Sequence, residues 1–482
     1  MTTAWGQTAH ERLLSQAAQF SAQRIRLGLG RMRRLMNVLG NPERGLHAIH
    51  VAGTNGKGST VAFLEAILHE AGHEPAVYTS PHLQRFHERI RSQGRDIDDA
   101  TLESLLTTVL RANAGEPATF FELTTAVALL HFSHLQPRSP PPSDTRSRPH
   151  ADSQSNTRFD HHAHACADAH SDNRAGTRSP VHARPSIPPP AVILETGLGG
   201  RLDATNVIHP HLTLITPIGL DHQEYLGETL SRIAREKAGI LKPGVPAAAD
   251  PGSETASASI ARRAEHLGIT LWLHQRDYRF TQPDDSGMWR YQDALGTLDL
   301  PPLRLPGHHQ YGNAALALAG LRLLSTVASC PWSVPLAACQ KGISQAWLPG
   351  RLELVPGTPP VWLDGAHNCA GTRVLAAALA DMEPLPTHLV FTALQDKDIP
   401  GMADLLAPWV RQVWIAPLSE PRAANPEAMA HIWRQQGIAT SICPDPATAL
   451  RSAQKSCPHP GRVLVTGSLH LVGIVRSLLF AR

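Results

Sequence analysis

Cysteine is scarce in this sequence of 482 residues, and no two cysteines form a CxxC pair. The six that occur are scattered, which excludes a disulfide framework and a regularly spaced zinc site and indicates free thiols in a reducing compartment. No apolar run reaches the roughly 18–20 residues that a transmembrane helix needs. The N-terminal residues also lack the basic start, apolar middle and small-residue cleavage site of a secretory signal. We therefore expect a cytoplasmic protein with no membrane partner.

An excess of charge of one sign is also lacking, because the formal net charge is only +3. This balance gives no electrostatic argument for nucleic-acid binding. The hydrophobic share of 42% and the charged share of 18% are typical of a soluble globular protein. The length favours about two to three domains.

Large aliphatic residues are almost absent from Gln136 to Pro190, which is rich in Pro, Ser, His and Arg. Such a segment cannot bury enough apolar surface to offset its ordering entropy, so we expect a disordered insertion. Its closely spaced metal-binding residue types are His161, His162, His164, Cys166 and His170. They allow a metal site, but the short spacing in a flexible segment favours a solvated loop.

Elsewhere, short apolar runs alternate with helical patterns, which predicts an α/β fold with mainly parallel sheets. The predicted strands are His47–Ala52, Ala76–Thr79, Ala191–Glu195, Leu212–Thr216, Val361–Asp364, Leu389–Phe391, Val413–Ala416 and Arg462–Thr466. Turn residues at Leu348 to Arg351 precede the second strand series, so we place a domain boundary there, between residues 1–347 and 351–482.

A glycine-rich loop follows the first predicted strand and precedes a predicted helix, Ser59 to Ala71, which Gly72 would end. Loops of this kind bind phosphate through backbone N–H groups and the helix N-terminus. The predicted nucleotide contacts here are Thr54, Asn55, Gly56, Lys57, Gly58 and Ser59, with Lys57 reaching the β- and γ-phosphates. The strict P-loop pattern fails at Val51 and Gly58, so a plain glycine turn is the alternative. A second cluster, Gly197 to Leu202, lacks the third glycine of a dinucleotide fingerprint.

Several motifs occur in one order along the chain. They are GTNGKGS at 53–59, TSPHL at 79–83, TFFE at 119–122, ETGLGGRLDATN at 195–206, LDH at 220–222, REKAGI at 235–240, HQYGNAALAL at 309–318, PGRLE at 349–353 and DGAHN at 364–368. This set resembles the Mur ligase superfamily, and specifically its dihydrofolate synthase/folylpolyglutamate synthase branch. The resemblance implies a larger N-terminal P-loop ATPase domain, a smaller C-terminal Rossmann-like domain, and an active site in the cleft between them.

The resemblance also implies a magnesium site. Ser80, Glu195 and His222 match the family's metal ligands, and two Mg²⁺ ions are expected. These residues end or follow predicted strands, and ligands bind at the carboxyl ends of strands in such sheets. The hydroxyl and carboxylate oxygens of Ser80 and Glu195 are donors that magnesium prefers. A histidine is a less typical magnesium ligand, so the alternative for His222 is a structural histidine. Lys237 matches a lysine that many members carry as a carbamate, and a solvated helix lysine is the alternative. Lys57, Lys237 and His222 are the residues expected to act in catalysis.

Positions that match the family's substrate contacts form two further groups. Asn313, Arg351 and Asp364 correspond to ATP contacts, and Lys397 to a phosphate-side position, with a surface charge run as its alternative. The dihydropteroate contacts correspond to Thr119, Phe120, Phe121, Glu122, Leu202, Asp203 and Ala204. The two phenylalanines either stack on the pterin or belong to the core. Arg26 departs from the acidic residue expected near Ile25 to Leu27, and Thr196 stands where an aliphatic residue is usual.

These features together imply an ATP-dependent ligase that joins L-glutamate to 7,8-dihydropteroate and to the γ-carboxylate of folates through an acyl phosphate. ATP, L-glutamate and the folate substrates would be its only partners, and the family is typically monomeric. Arg85, Arg89, Arg91 and Arg95 form a basic run that either meets an anionic substrate tail or is a solvated face. The alternatives are folylpolyglutamate synthesis alone, a peptidoglycan Mur ligase, a nucleotide-dependent switch or scaffold, and a folate-binding module without ligase activity.

Overall fold

The computed structural model of the protein describes residues 9–19, 27–135 and 190–481. The predicted insertion lies outside the described residues except for Pro190, as do Ile25, Arg26 and Cys166. The five cysteines within the described ranges are free, as predicted. In those same ranges no helix combines the length and the apolar character needed to cross a bilayer.

Eight strands form the first sheet. They are β1 (Ala48–Ala52), β2 (Ala76–Tyr78), β3 (Ile90–Ser92), β4 (Arg95–Asp96), β5 (Val192–Glu195), β6 (Leu212–Ile215), β7 (Ala247–Ala249) and β8 (Leu271–Leu273). Their spatial order is β4-β3-β2-β5-β1-β6-β7-β8, with β3 and β4 antiparallel at one edge and the other six parallel. The parallel strands are apolar along most of their length because helices cover both faces of such a sheet.

Ten helices belong to this part of the chain. They are α1 (Ala9–Gln19), α2 (Gly30–Val38), α3 (Lys57–Glu70), α4 (Asp99–Asn113), α5 (Phe120–Ser133), α6 (Gln223–Leu226), α7 (Leu230–Lys237), α8 (Glu254–Leu267), α9 (His309–Ser325) and α10 (Leu336–Gln345). Helices α3 and α9 pack on one face of the sheet, and α4 and α5 on the other. Helix α3 is buried along most of its length because α9 and α10 both pack against it.

A three-stranded antiparallel sheet, which the sequence patterns did not predict, follows the first one. Its strands are β9 (Tyr278–Phe280), β10 (Trp289–Asp293) and β11 (Gly296–Leu300), in the order β11-β10-β9. Arg322 of α9 holds the buried carboxylate of Asp293 with two hydrogen bonds of 2.6 and 2.7 Å. This forked ion pair fixes the small sheet to the helix.

Six strands form the third sheet. They are β12 (Glu353–Val355), β13 (Val361–Leu363), β14 (Thr387–Phe391), β15 (Gln412–Ile415), β16 (Ala439–Ile442) and β17 (Arg462–Thr466), and the order is β12-β13-β17-β14-β15-β16. All pairings are parallel except β12 with β13. The helices are α11 (Cys369–Asp381), α12 (Ile399–Leu406), α13 (Pro426–Gln435), α14 (Pro446–Ser456) and α15 (Leu469–Phe480). Buried apolar clusters lie on both faces.

The predicted α/β architecture with mainly parallel sheets is confirmed, and each predicted strand is present with ends that differ by at most two residues. The predicted helix after the glycine loop begins at Lys57 rather than Ser59, and Gly72 follows its C-cap residue with φ +84. The predicted boundary at Leu348 to Arg351 falls between α10 and β12. That the residues before and after it form separate domains remains a prediction.

Packing of α10 on α3 requires a glycine, and this yields a test of the fold. A Cβ at Gly342 would lie 2.5 Å from the Cα of Ile67 and 2.6 Å from its backbone nitrogen, which cannot move aside as a side chain can. We expect Gly342→Ala to lower the free energy of unfolding by about 1–3 kcal/mol, as overpacking does.

The matched control for this change is Gly30→Ala, because Gly30 is also helical but has open space around it. The gain in helix propensity is up to about 1 kcal/mol at Gly342 in the interior of α10 and smaller at Gly30, the first residue of α2, so propensity alone would favour Gly342→Ala. Thermal and denaturant unfolding of both variants would measure the difference. Equal stability of the two variants would show that the α3–α10 contact tolerates a methyl group.

Candidate active site

The loop between β1 and α3 is shaped by two close approaches. A Cβ at Gly53 would collide with the side chain of Thr216, and one at Gly56, where φ is +84, would collide with the amide oxygen of Asn313. The Thr216 hydroxyl donates to the carbonyl of Asn55 at 2.7 Å. Only glycine fits these two positions, so the loop is held rigidly against β6 and α9.

The loop offers fewer free N–H groups than the sequence predicted. The backbone N–H groups of Thr54 and Asn55 both donate to the carbonyl of Pro217, at 3.0 and 3.2 Å. The donors that remain for an anion are those of the first turn of α3, where helix geometry leaves Lys57, Gly58 and Ser59 without intrahelical partners. Anion binding therefore centres on the helix N-terminus.

Two lysine side chains meet at one carbonyl oxygen of this loop. Lys57 Nζ donates to Gly53 O at 3.1 Å, and Lys237 Nζ donates to the same oxygen at 2.7 Å. Lys237 ends α7 and is buried, and burial, reinforced by the charge of Lys57, lowers its pKa to about 7. The alternative that Lys237 is a solvated helix lysine is therefore wrong.

The three residues that match metal ligands line the same cavity as these lysines, a space of about 210 Å³. Glu195 is the last residue of β5, and its Oε2 accepts the backbone N–H of Ser80 at 3.2 Å. Burial raises the pKa of Glu195, and Lys57, 4.0 Å from Oε1, opposes that rise. His222 precedes α6 with φ +51, and burial lowers its pKa, so a neutral imidazole is favoured.

This donor set fits a divalent cation. A buried carboxylate that faces a cavity gains from a nearby positive charge, and carboxylate and hydroxyl oxygens are the donors that Mg²⁺ prefers. A neutral imidazole is a common ligand of transition metals and a rarer one of magnesium. The residues present can therefore hold such an ion, with Glu195 as the strongest donor.

Residues from α9 and from the C-terminal part of the chain also line this cavity. Asn313, Arg351 and Asp364 line the cavity together with His309 and His367. Asp364 is partly buried, and its two oxygens accept the backbone N–H groups of Leu352 and Ala366 at 3.0 and 2.9 Å. Because glycine at 365 leaves room for the Arg351 guanidinium, that cation can turn toward the cavity.

A chain of hydrogen bonds that the sequence analysis did not assign crosses the cleft. The side-chain amides of Asn55 and Asn368 form a reciprocal pair at 3.2 Å, and Asn368 also donates to Asp221 at 2.9 Å. Lys397 completes the chain by donating to Asp221 at 2.7 Å. Lys397 and Asp221 are only 5% and 9% exposed, so the alternative of a surface charge run at Lys397 is wrong.

These contacts determine the charge of Asp221. Burial opposes its ionisation, but the positive charge of Lys397, the neighbouring His222 and the Asn368 amide outweigh burial, so its pKa is lowered. Asp221 and Asn368 belong to the LDH and DGAHN motifs, but the sequence analysis gave them no role. Membership of those motifs was the sequence signal for them.

A second cavity, of about 830 Å³, adjoins the first and contains all the positions that match dihydropteroate contacts. Those positions are Thr119, Phe120, Phe121, Glu122, Leu202, Asp203 and Ala204, and Leu27 lines the cavity with them. Ser80, Gly197 and His222 line both cavities, so the two spaces are adjacent. An acceptor in the second cavity can thus extend toward the glycine loop.

Two of these side chains already have structural partners. Glu122 closes a capping box with Thr119 at the start of α5 and pairs with Arg31 at 3.0 Å. Asp203 accepts the backbone N–H groups of Leu198 and Thr205 at 2.8 and 3.0 Å. Both carboxylates shape the cavity wall, and a direct contact with substrate stays a prediction for them.

The phenylalanines are packed on one side and line the cavity on the other. Phe120 lies edge-on to Phe86 at 6.1 Å, and the Arg89 guanidinium lies 5.8 Å from the ring centre. Phe121 lies against Tyr78 at 6.0 Å and contacts Gly197. Both rings therefore contribute to the core and also line the second cavity.

The chain resembles several known proteins over nearly its whole length. Residues 350–469 match the family model described as Mur ligase, glutamate ligase domain. The dihydrofolate synthase/folylpolyglutamate synthase of Bacillus subtilis (strain 168) is 33% identical, with 94% of this chain and 95% of that one covered. Among solved structures, E. coli FolC in complex with DHPP and ADP is 30% identical with a TM-score of 0.81, covering 99% of this chain and 100% of that one.

A further solved structure carries a fuller set of ligands. It is a bifunctional folylpolyglutamate synthase/dihydrofolate synthase with Mn, AMPPNP and L-glutamate bound. It is 30% identical to this chain with a TM-score of 0.77, and the alignment covers 97% of this chain and 98% of that one. The similarity therefore extends across all three sheets.

The buried ion pair in the cleft generates a prediction. Lys397→Met leaves the Asp221 carboxylate buried without its cation, and breaking such a pair typically costs about 3–5 kcal/mol. We expect a loss of unfolding free energy in that range. Lys341→Met is the matched control, because Lys341 also lies 2.7 Å from a carboxylate, that of Glu70, but is 60% exposed.

For the exposed pair the expected loss is about 0–1 kcal/mol. Denaturant unfolding of the two variants at neutral pH provides the comparison. Similar losses in both would mean that solvent reaches the Asp221–Lys397 pair.

Proposed function

The chain belongs to the dihydrofolate synthase/folylpolyglutamate synthase family, and we propose that it joins L-glutamate to 7,8-dihydropteroate and to the γ-carboxylate of folates at the expense of ATP. One observation carries the proposal. The glycine loop with Lys57, the oxygen donors Ser80 and Glu195, and Arg351 of the C-terminal part line one cavity, which adjoins the cavity around Phe120.

The reaction proceeds in two steps. An oxygen of the acceptor carboxylate attacks the γ-phosphorus of ATP and releases ADP, which converts a poor electrophile into an acyl phosphate. The amino nitrogen of L-glutamate then attacks the carbonyl carbon, and the tetrahedral intermediate expels phosphate. Positioning and charge neutralisation supply the rate acceleration, so no covalent nucleophile on the protein is required.

The residues act through position and charge. Lys57, held at the loop by Gly53 and Thr54, places an ammonium group beside the phosphate-binding helix N-terminus. Arg351, from the C-terminal part of the chain, adds a planar guanidinium to the same cavity. Ser80, Glu195 and His222 would hold a Mg²⁺ ion, which when bound neutralises negative charge on the phosphates. The nucleotide contacts proposed are those of the glycine loop together with Asn313, Arg351 and Asp364.

Lys237 supports a finer proposal, that a carbamate on its Nζ helps to hold a second Mg²⁺ ion. A pKa of about 7 leaves much of the amine neutral at neutral pH, and the neutral amine is the form that combines with CO₂. Conversion to a carbamate would replace a buried cation by oxygen donors beside Gly53. We also propose that the protein acts as a monomer, since one chain supplies all the residues assigned to the site. Its proposed location is the cytoplasm.

Phosphate release by the purified protein tests the function. With ATP, Mg²⁺ and L-glutamate, we expect release that depends on dihydropteroate, and comparison with dihydrofolate and tetrahydrofolate separates the two ligations. Lys57→Ala should lower this rate by at least about 10²-fold, as loss of a transition-state charge partner does.

The control for that substitution is Lys455→Ala, which removes an exposed lysine of α14. Circular dichroism of both variants should match that of the unaltered protein. Phosphate release that ignores every folate acceptor, or full activity of the Lys57 variant, would contradict the proposal.

Carbamylation has its own test. Protein equilibrated with ¹³C-labelled bicarbonate should show one carbamate carbon signal by NMR, and Lys237→Met should abolish it. Because only the neutral amine reacts, we expect the signal to weaken as the pH falls below about 7. A spectrum that is identical for the two proteins would exclude the modification at Lys237.

A further inference from the structure

A third cavity, an open groove of about 870 Å³, lies beside the acceptor cavity and has no part in the function proposed so far. Four arginines line it, namely Arg201, Arg232, Arg235 and Arg263. Arg232 and Arg235 belong to α7, and Arg263 belongs to α8. A concave surface with several guanidinium groups favours an anionic ligand.

Helix α6 separates the groove from the active site. Glu224 and Tyr225 line both the groove and the acceptor cavity, and Leu226 lines both the groove and the nucleotide cavity. This helix has four residues, so a flexible ligand that leaves the acceptor cavity needs to pass only one turn of backbone to reach the arginines. The groove therefore lies one helical turn away from the acceptor cavity.

Three of the four arginines are available for a ligand. Arg201 is committed to Glu236, with hydrogen bonds of 3.0 and 3.2 Å. Within the described residues, Arg232, Arg235 and Arg263 have no carboxylate within ion-pair distance, and Arg235 donates only to the carbonyl of Ser231. Surface arginines commonly pair with neighbouring acids, so three unpaired ones on adjacent helices leave this wall cationic.

Acidic residues also line the groove, but apart from Glu236 of α7, whose carboxylate is paired, they lie on other elements than the unpaired arginines. Glu224 lies on α6 and Glu228 on the turn that follows, whereas the unpaired arginines lie on α7 and α8. Arg232 and Arg235 are three residues apart on one helix, which places their Cβ atoms roughly 5–6 Å apart on one face. Two carboxylates spaced along an extended chain can therefore be bound by successive arginines.

We propose that this groove binds the γ-linked glutamate tail of folate acceptors that already carry one or more glutamates. This inference rests on the proposed function, because each ligation through a γ-carboxylate leaves one free α-carboxylate on the product. The reacting carboxylate must return to the cavity of Lys57 in every cycle. Earlier glutamates then need space outside the acceptor cavity, and the groove supplies both space and positive charge.

The basic run at Arg85 to Arg95 is a weaker candidate for this role. Arg91 is paired with Glu65 at 2.6 Å, and Arg85 lies 3.5 Å from Asp99. Arg89 is enclosed by the Phe86 and Phe120 rings and donates to His82. Since these three guanidinium groups have partners, binding a tail there would break existing contacts, and Arg95 lines none of the three cavities described above.

The test compares acceptors with and without a tail. Arg232→Gln/Arg235→Gln keeps the side-chain stems and removes both charges, and Arg263→Gln is then added. With a γ-triglutamyl tetrahydrofolate as acceptor, we expect KM to rise about tenfold in the double variant and further in the triple. With dihydropteroate, which has no tail, we expect KM and kcat to stay within about twofold.

Arg262→Gln is the matched control, because Arg262 is an exposed neighbour on α8 that does not line the groove. Higher ionic strength should raise KM for the triglutamate more steeply in the unaltered protein than in the variants, since screening removes the same attraction. Melting temperatures of all variants should match, which separates loss of charge from loss of folding.

Three outcomes would overturn the inference. They are an unchanged KM for the triglutamate, an equal change for both acceptors, and an unaltered enzyme that uses dihydropteroate but no tailed folate. The third outcome would support the proposed ligase function and contradict the proposed tail-binding site. If the unaltered protein turns over neither acceptor, the proposed function fails, and equilibrium binding of the triglutamate to the same variants still decides whether the groove holds a tail.

Discussion

The carbonyl oxygen of Gly53 accepts hydrogen bonds from two lysine side chains, and the arrangement of the site depends on this shared acceptor. Two lysines that are both protonated repel each other, so their convergence needs a fixed dipole between them and a compensating charge nearby. The lowered pKa of Lys237 is a result of burial and of the same repulsion. The backbone carbonyl provides the dipole, and the Glu195 carboxylate provides the charge 4.0 Å from Lys57. The glycine loop keeps that oxygen in place because Thr216 and Asn313 pack closely against Gly53 and Gly56. The positions of the two lysine side chains therefore depend on this packing.

The cleft is held by polar contacts between two parts of the chain that are far apart in sequence. Asn55 and Asp221 come from the part with the first sheet, and Asn368 and Lys397 from the part with the third. Such contacts are more easily separated and reformed than an apolar interface of the same size. A ligase that must admit three substrates and release three products gains from a junction of this kind, since each contact can be exchanged for one with a ligand.

Much of the fold follows from local patterns. The buried strands of β1, β5 and β17 are near-continuous apolar runs, and the glycine loop is marked by residue type alone, so both could be predicted. The antiparallel strands β9 to β11 could not be predicted from such runs, because their apolar residues alternate with polar ones, as Trp289 and Tyr291 do in β10. The pair Asp221–Lys397 joins residues 176 positions apart, which no local pattern encodes. Glu122 was expected to contact the substrate, but its carboxylate closes a capping box at the start of α5. The sequence does not distinguish the two roles, because a capping box uses the same residue types as the binding motif.

Helix α6 is a partition that three cavities share, namely the one at the glycine loop, the one around Phe120 and the groove lined by arginines. A displacement of this single turn would change the shape of all three at once. A ligand that displaced it on binding to one cavity would change the affinity of the other two for their ligands, and thermodynamic linkage makes such a change equal in both directions. Under the proposed function, the length of a bound acceptor and the affinity for ATP would then be linked through this one turn.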